Sequence, residues 1–283
     1  MAKTVNDAHL SLAYRLGATS VPSSSTEKAK RLQWFVEAIN NAISDQNFWF
    51  MKDKHFDTTV ADQSDYSYPT DLKSIIQIKV DDYKYESVID EEVYRKFEMP
   101  SSPVPILPAY MARSWFDMDN KFWLVPIPSA APTSYTVGLV QSSGTATATS
   151  TTAHGFSRGY NVTIAGADQT EYNGSFEILT VPSTTTFTFS VDSTATSPAT
   201  GTITAVRKNI EVWYYKKPTE PTSDSSSIVL PDEYMGILVA YGEGRYWSAA
   251  HKRAKAADAF IEYETLIDKM KNENIRRKFQ SNI

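Results

Sequence analysis

Apolar residues recur along this chain at two periods, and the change of period divides it into helical ends and an extended middle. Leu32, Phe35, Val36, Ile39 and Ile43 fall at spacings of three and four, which predicts one apolar stripe on a helix running to about Gln46. Ser24 with Glu27 three residues on forms a capping box that opens it, each side chain serving a free backbone N–H of the other's turn. A shorter helix is expected from about Thr4 to Leu16, closed by Gly17, which reaches positive φ without a Cβ penalty. From Phe48 to about Val140 the period falls to two. Ile76, Ile78 and Val80 alternate with Gln77 and Lys79, and Tyr135, Val137 and Leu139 share one strand face. Phe122 and Leu124 lie in a strand that stops at Pro126 and Pro128. Between the strands come the polar turn Asp81-Asp82, an acidic helical segment from Asp90 to Phe97 and a proline-rich loop from Pro100 to Pro108.

Composition changes abruptly at Gln141. From there to Val206, 66 residues hold five charges, Arg158, Asp168, Glu171, Glu177 and Asp192, and 17 threonines. Strands are expected over Asn161 to Ala165, Ser175 to Val181, Thr185 to Val191 and Thr202 to Val206, punctuated by Gly159, Gly166, Asn173-Gly174, Pro182 and Gly201. That spacing suits a small sandwich or barrel. Directly after it, Ile210, Val212 and Tyr214 resume the alternation left at Val140. The segment therefore reads as a Thr-rich β domain, residues 141–206, inserted at a hairpin tip of a parent domain of residues 1–140 and 207–283. Pro231 with Asp232 and Glu233 opens the C-terminal helical region. Tyr234, Ile237, Leu238, Tyr241 and Arg245 share one face, and Ala256, Ala259, Phe260, Tyr263, Ile267 and Met270 form a second run. Either a bend near Ala250 separates the two runs or one helix carries both.

Charge and residue counts narrow the function. The formal net charge is -5, the opposite of the balance that neutralises DNA phosphates. There are no cysteines, which removes disulfides and thiolate chemistry. No apolar run approaches the roughly 18 residues needed to cross a bilayer, and the first residues lack the apolar segment of a secretion signal. A soluble protein without membrane contact is expected. Aromatic residues make up 12% of the chain, an enrichment shared by cores and interfaces.

The candidate chemistry is sparse. None of the four histidines has a second at ligand spacing; His55-Phe56-Asp57 puts two potential ligands on one strand face without a third. His154-Gly155-Phe156 reads as a turn, and the acid pairs Asp81-Asp82 and Glu91-Glu92 read as solvated rather than as a general acid and base across a cleft. Gly242-Glu243-Gly244 lies within a helix and suits close helix approach better than phosphate binding. No catalytic, cofactor-binding or metal-ligating residue is assigned, and no enzyme is expected. Phe48-Trp49-Phe50-Met51 places four large apolar residues in succession, which cannot all face one core from one element. Either the chain wraps under the β region there, or some of them face a partner. Phe48, Trp49, Phe50, Trp115 and Trp247 are the candidate oligomer or partner contacts. The basic end Arg276-Arg277-Lys278-Phe279 is either a frayed tail or a docking arm.

The order of several motifs resembles head-to-tail adaptor proteins, also called connector or head-completion proteins, of tailed bacteriophages. They are Arg31-Leu32 through Asn47-Phe48-Trp49-Phe50, Tyr66-Ser67-Tyr68-Pro69-Thr70-Asp71-Leu72, and Phe122-Trp123-Leu124-Val125-Pro126-Ile127-Pro128. Val212-Trp213-Tyr214-Tyr215-Lys216-Lys217-Pro218 and Leu230-Pro231-Asp232-Glu233-Tyr234 complete the set. The resemblance implies an α+β fold: a discontinuous helical-bundle adaptor core with a β-rich extension, plus the inserted small all-β domain. Thr151 to Phe156 and Tyr172 to Phe176 of that domain are similar to immunoglobulin-like decorations of virion proteins. The implied role is a ring under the portal, usually a dodecamer, that joins capsid to tail while DNA passes through its lumen without sequence-specific binding. Implied partners are the portal protein, with Arg276, Arg277, Lys278 and Phe279 docking on it, and a tail or nozzle protein. The expected location is the neck of a virion assembled in the bacterial cytoplasm. The competing reading is a tail or neck decoration that binds a receptor or carbohydrate through the inserted β domain.

Overall fold

The structure is a computed structural model and describes residues 3–87 and 113–280. The acidic segment expected at 90–97, with Glu91-Glu92, and the proline-rich loop at 100–108 lie outside those residues. Four helices are described: α1 (Val5–Arg15), α2 (Ser25–Ile43), α3 (Gly236–Ala249) and α4 (Arg253–Gln280). The strands before the threonine-rich region are β1 (Lys52–Asp57), β2 (Asp65–Ser67), β3 (Leu72–Val80), β4 (Tyr83–Ser87), β5 (Ser114–Met118) and β6 (Lys121–Val125). Then come β7 (Ser134–Ser142), β8 (Thr145–Ser150), β9 (Asn161–Ala167), β10 (Gly174–Glu177), β11 (Thr180–Ser183), β12 (Thr186–Ser190), β13 (Gly201–Arg207) and β14 (Ile210–Lys216). They form two seven-stranded sheets, ordered β1-β14-β3-β4-β5-β6-β2 and β10-β9-β13-β7-β8-β12-β11.

The chain divides into two compact units, one comprising residues Met1–Asp53, Asp71–Ser74 and Tyr215–Ile283, the other Lys54–Thr70 and Ile75–Tyr214. In the first unit, helix α1 starts at a capping box that pattern reading missed: Thr4 caps the helix and Asp7 returns its carboxylate to the Thr4 N–H at 2.8 Å. At α2, Ser24 accepts from the Glu27 N–H, but the Glu27 side chain turns to Arg31 instead of completing the box. Helices α1, α2 and α4 each pack on α3. Its glycines make this possible. A Cβ on Gly242 would stand 2.9 Å from Leu12 Cδ2, and one on Gly244 2.8 Å from the Phe260 ring. Helix α3 ends at Ala249 and His251 takes φ +57, so the two C-terminal runs are separate helices.

The expected helical-bundle adaptor core is overturned. Among the described residues the protein is mostly β, two curled seven-stranded sheets with four helices, and has no helical-bundle core. The apolar stripes on the helices are real, but α1, α2 and α4 spend them on α3 rather than on one shared axis. Residues outside these four helices close the same apolar cluster, among them Phe48, Met51, Ile228 and Leu230. Helices at both ends of a chain therefore did not imply a bundle.

The second unit holds the second sheet, whose inner face is the alternating set Val137, Leu139, Ala146, Ala148, Val162, Ile164, Phe187, Phe189, Ile203 and Ala205. Burial along β8 alternates strictly, with Ala146, Ala148 and Ser150 inward. The sheet starts earlier than the change of composition suggests, because β7 begins at Ser134 and turns into β8 through Ser143-Gly144, both at positive φ. The strand expected over Ser175 to Val181 is interrupted where Ile178 turns into the core, fully buried. A Cβ on Gly166 would collide with the Thr202 carbonyl, and one on Gly201 with that of Gly166.

Within the first unit one buried group makes folding sensitive to acid. His9 is fully buried beside the Phe35 ring, and its Nε2 lies 3.4 Å from Asp224 Oδ1, close enough for charge to act without an aligned hydrogen bond. Burial holds its pKa below the ordinary 6.5, opposed by Asp224 and reinforced by Arg31 and Lys28 on α2. Lys28 also grips Asp224 at 2.6 Å and holds that carboxyl below its usual range. The unfolded chain takes up a proton on this histidine more readily than the folded one. Its contribution is therefore complete above 6.5 and lost as pH falls below that value. The urea midpoint of the native chain should fall between pH of about 7.5 and about 5, and fall distinctly less in His9→Phe. An equal fall in both chains would place the acid sensitivity elsewhere.

Candidate functional site

The polar turn between β3 and β4 ties together separate segments of the second unit. Asp81 and Asp82 take φ of +49 and +69, and β3 pairs with β4 as Val80 opposite Tyr83, the two-residue hairpin that favours Asp and Asn. Each aspartate reaches a segment distant in sequence. The Asp81 N–H donates to the Asn209 carbonyl at 3.0 Å, and Asn209 Nδ2 donates back to Asp81 Oδ1 at 3.1 Å. Asn209, between β13 and β14, also bonds the Thr59 N–H and hydroxyl, both at 2.9 Å, and is 5% exposed.

Asp82 forms the second grip. Its Oδ1 accepts from Arg207 Nη2 at 2.6 Å, its Oδ2 from the Tyr160 hydroxyl at 2.5 Å, and the Arg207 guanidinium lies 3.6 Å over the Tyr160 ring. Partial burial pushes the Asp82 carboxyl up, but the hydrogen bonds from Tyr160 and Arg207 outweigh it and hold the group below the usual carboxylate range. Tyr160 is raised in turn, first by its bond to that carboxylate and then by burial. One turn thus holds the loop before β9 and the end of β13. Sequence alone marked Asp81-Asp82 as a turn but read its side chains as solvated, since no local pattern points to partners at 160, 207 and 209.

The basic C-terminal end is the last part of α4, not a frayed tail. Asn274, fully buried, accepts from the Trp49 N–H at 3.2 Å and donates to the Asn47 carbonyl at 3.0 Å. Arg277 binds Glu273 through Nε and Nη2 at 2.8 and 2.6 Å and lies 4.5 Å over the Trp49 ring. The Tyr234 hydroxyl donates to the other Glu273 oxygen; burial, and then that carboxylate, push its pKa up to about 12. Arg276 and Lys278 are exposed on the same turn. The Phe279 side chain is outside the described residues.

The aromatic candidates separate. Phe48 is fully buried with Met51 in the core of the first unit, whereas Trp49 and Phe50 are half-buried and pack against it. Trp247 is half-buried, donating to Glu243 at 3.1 Å beneath the Lys255 ammonium, and Trp115 is half-buried on β5. His154 accepts from the Phe156 N–H at 2.9 Å inside the second sheet's core, a buried turn. Among the described residues no group of three or more His, Asp or Glu is placed to hold a metal, and no helix is long and apolar enough to cross a membrane.

Asp82→Ala should strip both partners from this turn at a cost of about 1 kcal/mol, since the carboxylate is more than half exposed. Amide hydrogen exchange should quicken at residues 157–161 and 207–209 and stay unchanged in α3. Unaltered exchange in the two loops would show that the turn does not hold them.

Comparison with known families gives a match over nearly the whole chain. The family described as SU10 adaptor protein matches residues 11–282. No curated protein matches. Among solved structures, the Phage phi92 endosialidase matches at 24% identity with a TM-score of 0.20, over 34% of this chain and 13% of that one. The chain thus spans far less than two thirds of that protein's length. By a match that runs from α1 to beyond the end of α4, the chain belongs to the SU10 adaptor protein family, the structural adaptor proteins of phage particles.

Proposed function

We propose that this adaptor forms a homo-oligomeric ring, a dodecamer, beneath the portal, where it joins the capsid to the tail or nozzle and leaves an axial passage for DNA. The observation that carries the reading is the family match across residues 11–282, which includes both the helices and the sheets. Charge supports it: a chain at -5 resists the phosphate neutralisation that would hold DNA in place, and a conduit must let the genome slide. On this reading the lumen is poor in Lys and Arg. The threonine-rich sheet is an immunoglobulin-like decoration on the outside of the ring.

The portal-facing end in this proposal is the last turn of α4, with Arg276, Arg277, Lys278 and Phe279. Arginine suits carboxylates on a partner because its planar fork donates two parallel hydrogen bonds. Arg276→Glu is the clean test, since Arg277 is engaged with Glu273 and Trp49 within the chain. The variant should weaken binding to purified portal by about tenfold or more at low salt, an effect of the size that a truncated charge pair has at an interface. Undiminished binding would remove this end from the contact.

A second reading, attachment to a receptor or surface carbohydrate, draws on the outward face of β8 and β12. Thr145, Thr147, Thr149, Thr186 and Thr188 stand there without a charge, beside Val140, which is 57% exposed. Copy number decides between the two. Quantitative mass spectrometry of purified particles should return one chain per portal subunit; a ratio matching fibres or tail-tip proteins would favour attachment and sink the ring.

A further inference from the structure

Beside the Asp82 grip lies a cleft of about 190 Å³ that neither the ring nor the family match explains. Its lining carries four cationic side chains, Lys79, Arg158, Arg207 and Lys208, against two carboxylates, Asp82 and Glu211. A local surplus of positive charge in a chain of net charge -5 is a departure that needs a cause.

The cations are unequally satisfied. Arg207 gives Nη2 to Asp82, but its buried Nε has no partner among the described residues. Among the described residues Lys208 Nζ reaches only the Phe56 carbonyl, at 3.3 Å. Lys79 Nζ stands 3.9 Å from Glu211, whose nearer partner is Lys54 at 3.3 Å. Arg158 is exposed and makes no ion pair among the described residues. The walls behind these groups are fixed by the stacked Arg207 and Tyr160 pair and by Asn209, whose amide is fully bonded. The cleft is therefore shaped before any ligand arrives, which lowers the ordering cost of binding.

We propose that this cleft binds a small oxyanion, a carboxylate or a phosphate, received by Arg158 and flanked by Lys79 and Lys208. A guanidinium fork matches the spacing of two oxygens on either group, while the ammonium ends supply charge without a fixed direction. Asp82 and Glu211 within the lining set the scale. They would repel the next charge of an extended polyanion but leave room for one oxyanion opposite Arg158. A ligand held there would bridge β3, the loop before β9 and the link from β13 to β14, the same segments joined by the Asp81-Asp82 turn.

Equilibrium dialysis of the full chain against labelled inorganic phosphate and labelled acetate, at constant ionic strength, tests this directly. Saturable binding of either, at up to about 10 mM, is expected, and Arg158→Ala should weaken it by about tenfold, the cost of losing a charge-assisted pair. Arg158 is exposed, so the variant should keep the native circular dichroism spectrum, and Arg158→Lys should retain part of the affinity. Phosphate binding without acetate binding assigns a phosphate ligand, and the reverse assigns a carboxylate. Binding of neither anion, or equal binding by the native chain and Arg158→Ala, overturns the proposal.

Discussion

Strand β14 constrains everything around it, because it lies between β1 and β3 although it comes more than a hundred residues after them. The first sheet is incomplete until residues 210–216 arrive, and everything from β4 to β13 must be accommodated before they do. A flexible loop of that length would carry a closure cost that grows only slowly with length, but it would make the pairing slow. The second sheet removes most of that problem by bringing its own ends together. Val206 pairs with Ser134 and Ala205 with Tyr135, so the chain enters and leaves the threonine-rich region on adjacent strands. The parent strands meet what is in effect a short connection.

Closure of the ends delivers the chain from β13 in the second sheet directly to β14 in the first, and the Asp81-Asp82 turn adds direction to it. A carboxylate with two donors, one charged, is stronger than a neutral hydrogen bond, yet the Asp82 side chain remains 57% exposed and its worth is discounted by solvent. Asn209 is the opposite case: almost fully buried, with its amide satisfied on both sides, it costs more to disturb than its bonds contribute. The joint therefore combines a buried neutral element that specifies geometry with an exposed ionic one that responds to pH and salt.

Much of this was legible before the structure. The α2 stripe, the alternation in β14, the glycines of α3 and the low charge of the threonine-rich strands are local patterns that the structure keeps, while in β3 the alternation holds at Ile78 and Val80 and fails at Ile76, which is exposed. The overall class was not legible in this way. Apolar helical stripes state that a face is buried but not against what, and here three of them share the single helix α3. The break in the strand at Ile178 was hidden for a related reason, since alternation cannot show one residue rotating inward to fill a core. The Asp82 partners and the cleft beside them were out of reach altogether. The hydrogen bond from Tyr160 and the ion pair with Arg207 at Asp82 depend on tertiary placement, and adjacent aspartates in a turn look the same whether they are solvated or clamped.

A threonine-rich sheet with so few charges faces a hazard in any protein present in many copies, because open strand edges pair with one another. Its two edges are β10 and β11, and both are blunted. Strand β10 is four residues long and begins at Gly174 with φ +144. Strand β11 is equally short, carries Pro182, which has no N–H to offer, and shifts register against β12 between Thr180 and Ser183. Charge is the usual means of keeping edges apart, and of these two edges only β10 carries one, the exposed Glu177 at its end. The backbone does the rest of that work, which leaves the outward threonine face uncharged without making the sheet's edges a template for self-association.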